Sequence, residues 1–445
     1  MRLTHLLPLL SLLILATTDA IGQQVTLAEA LSLARQHNTD YRKAQNDAGA
    51  TGLAATAGRL WFLPSLNASF DFGASTTTNT TVADVDGRPI PLPSPVNFES
   101  SSASQRISTS LILFDGLRNV RGARVASARA RATDATADAT AIRVDAQVTR
   151  QFLTALRQQR LIQVEERLLA SQRDQLAATE RLFRTASANQ VDVLGAQVAV
   201  AQQEQALANQ RGEAEKAGLE LARVIGLDEI TPLSPSGDLP TAFDPATLSV
   251  DVLVASATAQ SPRIRQLEAS ADAANAEAGS SYGARWPTIS ASAGLTRSLI
   301  LPNYSAFGEL NPQNRSLGFS LSIQVPIFTR FQTSANIVAA NARADNADED
   351  LRAGLLQIET DVRLAVVDLR NAYQALVLAE RSAELSATRM TLAQEQYRLG
   401  AIQYQNLQQV IDGAAQTERQ AVGARFNFAL ALVTLEELVG SEVRP

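Results

Sequence analysis

The sequence predicts an α+β membrane protein with an internal structural repeat. Four amphipathic β-strands per chain join very long coiled-coil helices. Three observations predict it. The segment Phe114–Gly226 occurs twice, with Phe114 falling on Phe328 at an offset of 214 residues. Within the first copy, Ile162, Leu169, Leu176 and Phe183 sit seven apart, a coiled-coil period. Four short stretches alternate apolar and polar residues with period two. Four strands cannot close a barrel, because the smallest have about eight. Closure therefore requires several copies of the chain; three chains would give twelve strands, and the helices would continue the tube on one side as an α-helical coiled-coil barrel.

The repeat needs no gap. Val148 matches Val362, Phe183 matches Tyr397, Arg184 matches Arg398, Leu221 matches Leu435 and Gly226 matches Gly440. The second-copy heptad is Leu376, Ala383, Met390 and Tyr397. From Gly116 to Phe183 a helix spans roughly 100 Å at about 1.5 Å per residue, so it is expected to project as a shaft. The expected organisation is a signal peptide at 1–22, a first repeat at 23–226, a Pro-rich connector at 227–248 and a second repeat at 249–445.

The N-terminus reads as a secretory signal. Arg2 and His5 form its polar start, Leu6–Ala16 its apolar core and Thr18-Asp19-Ala20 its cleavage site, with Gly22 an alternative. No later stretch has the length and polarity of a transmembrane helix, so the mature chain is soluble or crosses a membrane as a barrel. Cysteine is absent, which excludes disulfides and thiolate chemistry. With His5 and His37 as the only histidines, a serine triad or zinc site lacks its ligands, and no enzyme or cofactor site is expected. Charge is mildly acidic and interspersed, which argues against nucleic acid.

In chain order, Thr26–Gly58 reads as one helix opened by a Thr26/Glu29 capping box and ended by Trp61–Pro64. Strands are expected near Leu66–Ala74 and Arg106–Phe114, with an exposed loop over Ser75–Ala103. The second half repeats the order. A helix over Val250–Gly283 ends at Trp286-Pro287, and strands follow near Thr288–Thr296 and Leu317–Phe328. In these strands Asn67, Ser69, Asp71, Arg106, Ser108, Ser290, Ser320 and Gln324 fall on the polar face and are expected to line a lumen. Alternation alone also fits an antiparallel sheet packed on a helical core with one wet face. The signal peptide and the lack of another apolar layer favour the barrel.

The chain resembles the TolC family of outer-membrane efflux proteins. The resemblance rests on Thr26-Leu-Ala-Glu-Ala-Leu31 with Asn38, Trp61-Phe-Leu-Pro64, Leu113-Phe-Asp-Gly116, Tyr397-Arg-Leu-Gly-Ala401 and Leu435-Glu-Glu-Leu-Val-Gly440. It implies a homotrimer in outer-membrane lipid, a twelve-stranded barrel and a helical tunnel through the periplasm. It implies a passive exit duct of a tripartite efflux or type I secretion system, joined by a periplasmic adaptor to an inner-membrane pump.

The family's functional region is a pair of helical tips, here Phe183–Val193 and Tyr397–Leu407. The resemblance assigns adaptor docking to Thr185, Ala186 and Ser187 in the first tip and to Arg398, Leu399, Gly400 and Ala401 in the second. The periplasmic aperture is expected at Asp192, Tyr404, Asn406 and Gln409, closed by packing and neutral hydrogen bonds around the last three. Asn406 and Gln409 stand where an acidic ring lies in the family, so a cation-blocked aperture is not expected. Read bottom-up, Asp192 is equally a cap of the returning helix, and Gly400 serves the turn. Trp61 and Trp286 are expected at a membrane interface or inside the barrel-to-shaft joint, and Tyr304 and Phe307 in a plug or an exposed loop. A methionine-poor chain offers no metal relay, which leaves small organic solutes as the leading cargo. The rival reading is a secreted or periplasmic coiled-coil scaffold or adhesin, which explains the heptads but not four matched strands.

Overall fold

The computed structural model describes residues 24–185 and 188–443. In order, its elements are β1 (Gln24–Val25), α1 (Leu27–His37), α2 (Thr39–Arg59), β2 (Ser65–Ala83) and β3 (Pro89–Phe114). There follow α3 (Arg118–Arg184), α4 (Gln190–Ile225), β4 (Ser234–Pro235), α5 (Val250–Gln260) and α6 (Pro262–Ser281). The chain ends with β5 (Thr288–Leu301), β6 (Asn314–Gln324), α7 (Gln332–Arg398) and α8 (Tyr404–Val439). Helices α3 and α7 each have 67 residues, and α4 and α8 each have 36. The proposed signal peptide lies outside the described residues.

Each expected single helix ahead of the strands is in fact two. The first breaks at Asn38, whose side-chain oxygen accepts the N–H groups of Asp40 and Tyr41 at 3.0 and 3.1 Å and so caps α2. Its Nδ2 donates to the Val224 carbonyl at 2.8 Å, tying the break to the end of α4. The second breaks at Ser261, extended at φ −56° and ψ 127°, because the following Pro262 disfavours the helical region and opens the next helix.

The hairpin is longer than expected. Ser75–Ala103 is not a loop: most of it continues β2 and β3, which pair from Ser65↔Ser110 out to Ala83↔Pro89. Thr76, Thr77, Thr78, Thr80 and Thr81 are β-branched and suit a strand. The prolines at 89, 91, 93 and 95 fall on alternate residues, so their missing N–H groups share one side. Strand β5 reaches only Ser101, and there β3 tolerates them as an edge. Strand β6 stops at Gln324 rather than Phe328, ahead of Pro326, and Arg330 and Phe331 adopt positive φ before α7.

The chain forms two compact units. One comprises the described residues of Met1–Gln45, Ala137–Ile264 and Leu355–Pro445. Its core packs Val148, Phe152, Leu221, Ile225 and Phe426 around Ala30 and Ala34, with β1 and β4 pairing in parallel beside it. The other comprises Asn46–Thr136 and Arg265–Gly354 and holds one antiparallel sheet in the order β2-β3-β5-β6. Small residues, Ala278, Ala340 and Ala344, let α6 and α7 pack closely there.

The heptad read in the first repeat is not the seam buried within the chain. Among its members only Leu169 is buried, and Phe183 is exposed. The buried stripe is Val164, Glu165, Leu168, Gln172, Gln175 and Thr179. Polar side chains occupy part of it, with Gln175 donating to the Thr179 hydroxyl at 3.4 Å, which a hydrophobic count misses. In the second repeat the expected seam is partly right: Leu376 and Tyr397 are buried, and Ala383 and Met390 are half-buried.

Candidate functional site: a two-faced sheet and paired helical tips

The sheet register sorts side chains into two faces. Asp71, Ser104, Ser298 and Asn314 stand side by side across the four strands. The next rows are Ser69, Arg106, Thr296 and Ser316, then Asn67, Ser108, Gly294 and Gly318, then Ser65, Ser110, Ser292 and Ser320. Ser290 pairs with Ser322, and Thr288 with Gln324. All eight lumen candidates therefore share one polar face. The opposite face carries Ala68, Ile107, Leu295 and Leu317 in one row and Leu66, Thr109, Ala293 and Phe319 in the next. Leu111, Ala291 and Leu321 follow, and then Ile289 with Ile323. Ile107, Leu317, Phe319, Leu321 and Ile323 are exposed within the chain.

Exposed aromatic residues gather where the strands meet the helices. Trp61 and Phe62 precede β2, Phe114 ends β3, Trp286 precedes β5, and Phe328 and Phe331 follow β6. This is the placement expected of a girdle at a membrane interface. At the other end, the segment 302–313 folds onto the apolar face. The Phe307 ring lies 6.4 Å from Phe72, and the Ser101 hydroxyl donates to the Asn303 carbonyl while accepting the Ala306 N–H at 3.0 Å. Tyr304 bonds Thr76. Phe72, Thr76 and Ser101 all point to the face opposite Asp71, so Tyr304 and Phe307 do not plug the polar side.

At the first tip α3 ends at Arg184, and the Thr185 hydroxyl donates to the Leu182 carbonyl at 3.0 Å. Ala186 and Ser187 lie outside the described residues. The return helix is capped by Asn189, not by Asp192. Asn189 accepts the Asp192 N–H at 2.9 Å, and the Asp192 carboxylate accepts the Asn189 N–H at 3.2 Å. Asp192 is thus the third residue of a capping box, half-buried and engaged locally. The spacing Asn189-x-x-Asp192 carried this signal.

At the second tip Gly400 adopts φ +73°, which any side chain strains. The Ala401 N–H reaches back to the Gln396 carbonyl at 2.9 Å, and the Gly400 N–H to Tyr397 at 2.9 Å. An added Cβ at Gly400 would meet nothing within 4 Å, so within the chain the glycine serves the turn. Arg398 pairs with Glu395 at 3.0 Å, while Leu399 and Ala401 are exposed.

Of the aperture candidates, Asn406 and Gln409 are exposed, but Tyr404 is buried. Its ring lies 6.1 Å from Tyr397, and a Cβ on Gly195 would come within 3.1 Å of it. With Ala196, Ala393, Leu407 and Ile411, the two tyrosines form a small core that locks both tips together. Burial, then Tyr397, Asp412 and Asp192 nearby, push the Tyr404 phenol up to about 12. Burial raises Tyr397 as well, and its hydroxyl lies 3.2 Å from that of Thr179. Both phenols stay neutral at ordinary pH and act as hydrogen-bonding groups.

Higher on the same helices sits a charged cluster that sequence reading missed. Arg419 of α8 grips Glu165 of α3 through two nitrogens, at 2.7 and 3.0 Å. Gln203 of α4 donates to the same carboxylate at 2.6 Å. Burial disfavours the charge, but the bonds from Arg419 and Gln203 outweigh it and hold the carboxyl below its usual range.

The model of the outer membrane efflux protein family matches residues 30–227 and 253–441. Protein CyaE of Bordetella pertussis is 29% identical over 211 residues, which cover 47% of this chain and 43% of that relative. The structure of CusC described for folding and transmembrane channel formation superposes with a TM-score of 0.72 at 18% identity, covering 93% of this chain and 92% of that one. The Campylobacter jejuni CmeC outer membrane channel gives a TM-score of 0.71 at 14% identity, covering 93% and 85%. At these identities the two structures show a shared fold, long helices joined to a small antiparallel sheet. The matched residues take in most of the chain, which belongs to the outer membrane efflux protein family.

Proposed function

We propose that the chain is the outer-membrane duct of a tripartite efflux or type I secretion system. Three copies close a twelve-stranded barrel, four strands each, and their helices continue it as a periplasmic tunnel. The observation that carries this is the sheet: one polar face, one exposed apolar face and two open edges, β2 and β6. Such edges pair with another chain unless covered, and closing the sheet into a barrel removes them. No helix among the described residues is long and apolar enough to cross a membrane. The processed chain begins near residue 23, with its two repeats meeting at the connector 227–248. A scaffold or adhesin leaves the two-faced sheet without a reason.

A second feature supports assembly. Leu378, Leu385 and Leu392 of α7 sit seven apart and are 69%, 63% and 60% exposed. Val191, Leu194 and Val198 of α4 are exposed as well. Helix α3 packs against α4 through Gln203–Glu165 and against α8 through Arg419–Glu165, which leaves α4 and α7 to meet a neighbouring copy. The tips then dock the adaptor of an inner-membrane pump through Thr185, Arg398, Leu399, Gly400 and Ala401.

The chain contains no cysteine, which makes the barrel directly testable. Single cysteines at Leu317 and Leu321 should escape a membrane-impermeant maleimide in outer membranes, while those at Ser69 and Ser320 should react. Equal labelling of both faces sinks the barrel. Leu321→Arg should cost about 2–4 kcal/mol of assembly near the bilayer midplane. For docking, Leu399→Glu leaves the Gly400 turn untouched. It should abolish adaptor cross-linking without changing membrane yield; unchanged cross-linking removes Leu399 from the interface.

A further inference from the structure

The apolar face of the sheet is interrupted at one row, beyond which Phe72, Ala103 and Leu299 resume it. Phe70, Gln105, Arg297 and Arg315 stand side by side across β2, β3, β5 and β6, on the face that carries Leu295 and Leu317. Arg297 and Arg315 are directly opposite each other. Opposed residues of an antiparallel pair have Cβ atoms about 4.5–5.5 Å apart, and like charges there repel. Arg315 is exposed and has no ion pair among the described residues. Arg297 bonds the Asn311 side-chain oxygen, and Gln105 bonds the Leu310 carbonyl, so the segment 302–313 braces the row without neutralising it. The nearest acid along that segment, Glu309, accepts the Asn311 N–H at 2.7 Å and forms no salt bridge with either arginine.

The height of the row fixes its surroundings. Trp286, in the aromatic group at the helix end, lies just before β5 and precedes Arg297 by eleven positions. That is roughly 36 Å along a strand at about 3.3 Å per residue. Tilted by about 35–45°, it rises roughly 25–30 Å, the height of the apolar band of an outer-membrane barrel. The two guanidinium groups therefore stand at the interface away from the helices, where the outer leaflet presents its headgroups.

We propose that Arg297 and Arg315 form a binding site for a phosphate group of the phosphorylated glycolipid of the outer leaflet. The inference rests on the outer-membrane reading. A phosphate between the guanidinium groups removes their repulsion and accepts the planar, paired donors that arginine offers. The glycolipid's acyl chains continue down the apolar rows of Leu295, Leu317 and Phe319.

The test is native mass spectrometry of the full-length protein purified in detergent. It is titrated with bisphosphorylated lipid A, with the dephosphorylated glycolipid and with phosphatidylglycerol. Wild type should retain the bisphosphorylated lipid about tenfold better than either alternative. Arg297→Gln with Arg315→Gln should lose that preference, Arg297→Lys with Arg315→Lys should keep part of it, and Arg88→Gln, in the distant turn of the β2–β3 hairpin, should keep all of it. Equal retention of phosphorylated and dephosphorylated glycolipid, or an unaffected double glutamine variant, overturns the site. Equal retention of phosphatidylglycerol overturns its assignment to the glycolipid. Fractionation of wild-type cells separates the two levels: protein absent from the outer membrane overturns the membrane reading itself, and protein present there without phosphate preference overturns only this site.

Discussion

Helices α3 and α7 have the same length, as do α4 and α8, yet the two hairpins bury different chemistry. Between 164 and 179, α3 buries Glu165, Gln172, Gln175 and Thr179 beside Val164, Leu168, Leu169 and Ala178. The matching stretch of α7, at the offset of 214, leaves Leu378, Leu385 and Leu392 exposed. Length is constrained because inserting one residue in a long helix turns everything beyond it by about 100° and moves the tip. Face chemistry is free to diverge under that constraint. The first hairpin directs its polar groups at α4, α8 and α7 of its own chain. The second leaves apolar side chains exposed within the chain.

The largest expected effect lies in the polar seam. Glu165 is 6% exposed in its side chain and Arg419 35%. Arg419→Ala leaves a buried carboxylate with only Gln203 and should cost about 3–5 kcal/mol in thermal or denaturant unfolding. Leu369→Ala in α7, where the side chain is fully buried, should cost a similar 2–5 kcal/mol. Rescue separates the two hairpins. Replacing both Glu165 and Arg419 by leucine should recover most of the loss, whereas no second substitution refills the Leu369 cavity so simply. The folded carboxyl lies below its ordinary 4.5. Its contribution is therefore complete above that pH and is lost as pH falls through the lower folded value. Glu165→Gln should flatten this acid limb; an unchanged acid profile breaks the assignment.

The leucine heptad of α7 sharpens the contrast in the opposite direction. Leu385→Glu should leave the chain's own fold intact, because the side chain is exposed within it. In the proposed trimer it should cost about 2 kcal/mol at each interface. Size-exclusion chromatography with light scattering should show a shift toward monomer, while a charge reversal at exposed Glu180 or Arg184 of α3 should not. A full trimer population in Leu385→Glu means that the stripe faces solvent or the adaptor.

Much of this architecture was legible because period and length survive in sequence. The offset located both hairpins, and alternation placed the lumen candidates on one face. The α3 seam was not legible, since Glu165, Gln172 and Gln175 read as solvent-facing until Gln203 and Arg419, distant in sequence, are brought beside Glu165. The β2–β3 extension was hidden by serine, threonine and proline, residues shared by loops and edge strands. At the tips, Tyr404 was expected to help close an aperture by packing, with no sign in the sequence of what it packs against. Its burial depends on Gly195, whose missing side chain admits the ring, and nothing local to Tyr404 records that.

The two turns differ less in energy than in kind. Gly400→Ala places a Cβ at φ +73° and should cost about 1–2 kcal/mol. Asn189→Ala removes the cap of α4 at about 1 kcal/mol. Amide hydrogen exchange should report fraying of Gln396–Ala401 in the first case and of Gln190–Val193 in the second. If either substitution frays both tips equally, the Tyr397–Tyr404 core transmits the disturbance, and the hairpins do not end independently.

The smallest expected effect is at the proposed aperture, where the tips offer different groups. Asn406 and Gln409 are exposed amides on α8, while the Asp192 carboxylate on α4 is half-buried and accepts a backbone N–H. Threefold symmetry brings three copies of any axial residue together. Three carboxylates there repel one another and attract divalent cations, whereas three amides do neither strongly. In planar bilayers, millimolar divalent cations on the periplasmic side should therefore block wild-type conductance only weakly. Asn406→Asp should strengthen the block, and more so at low ionic strength, where screening is weaker. Asp192→Asn should leave the weak block as it is, because that carboxylate is occupied in the capping box. A strong wild-type block that vanishes in Asp192→Asn reverses the comparison: the first hairpin then supplies the acid ring, and the amides of the second are only its neighbours.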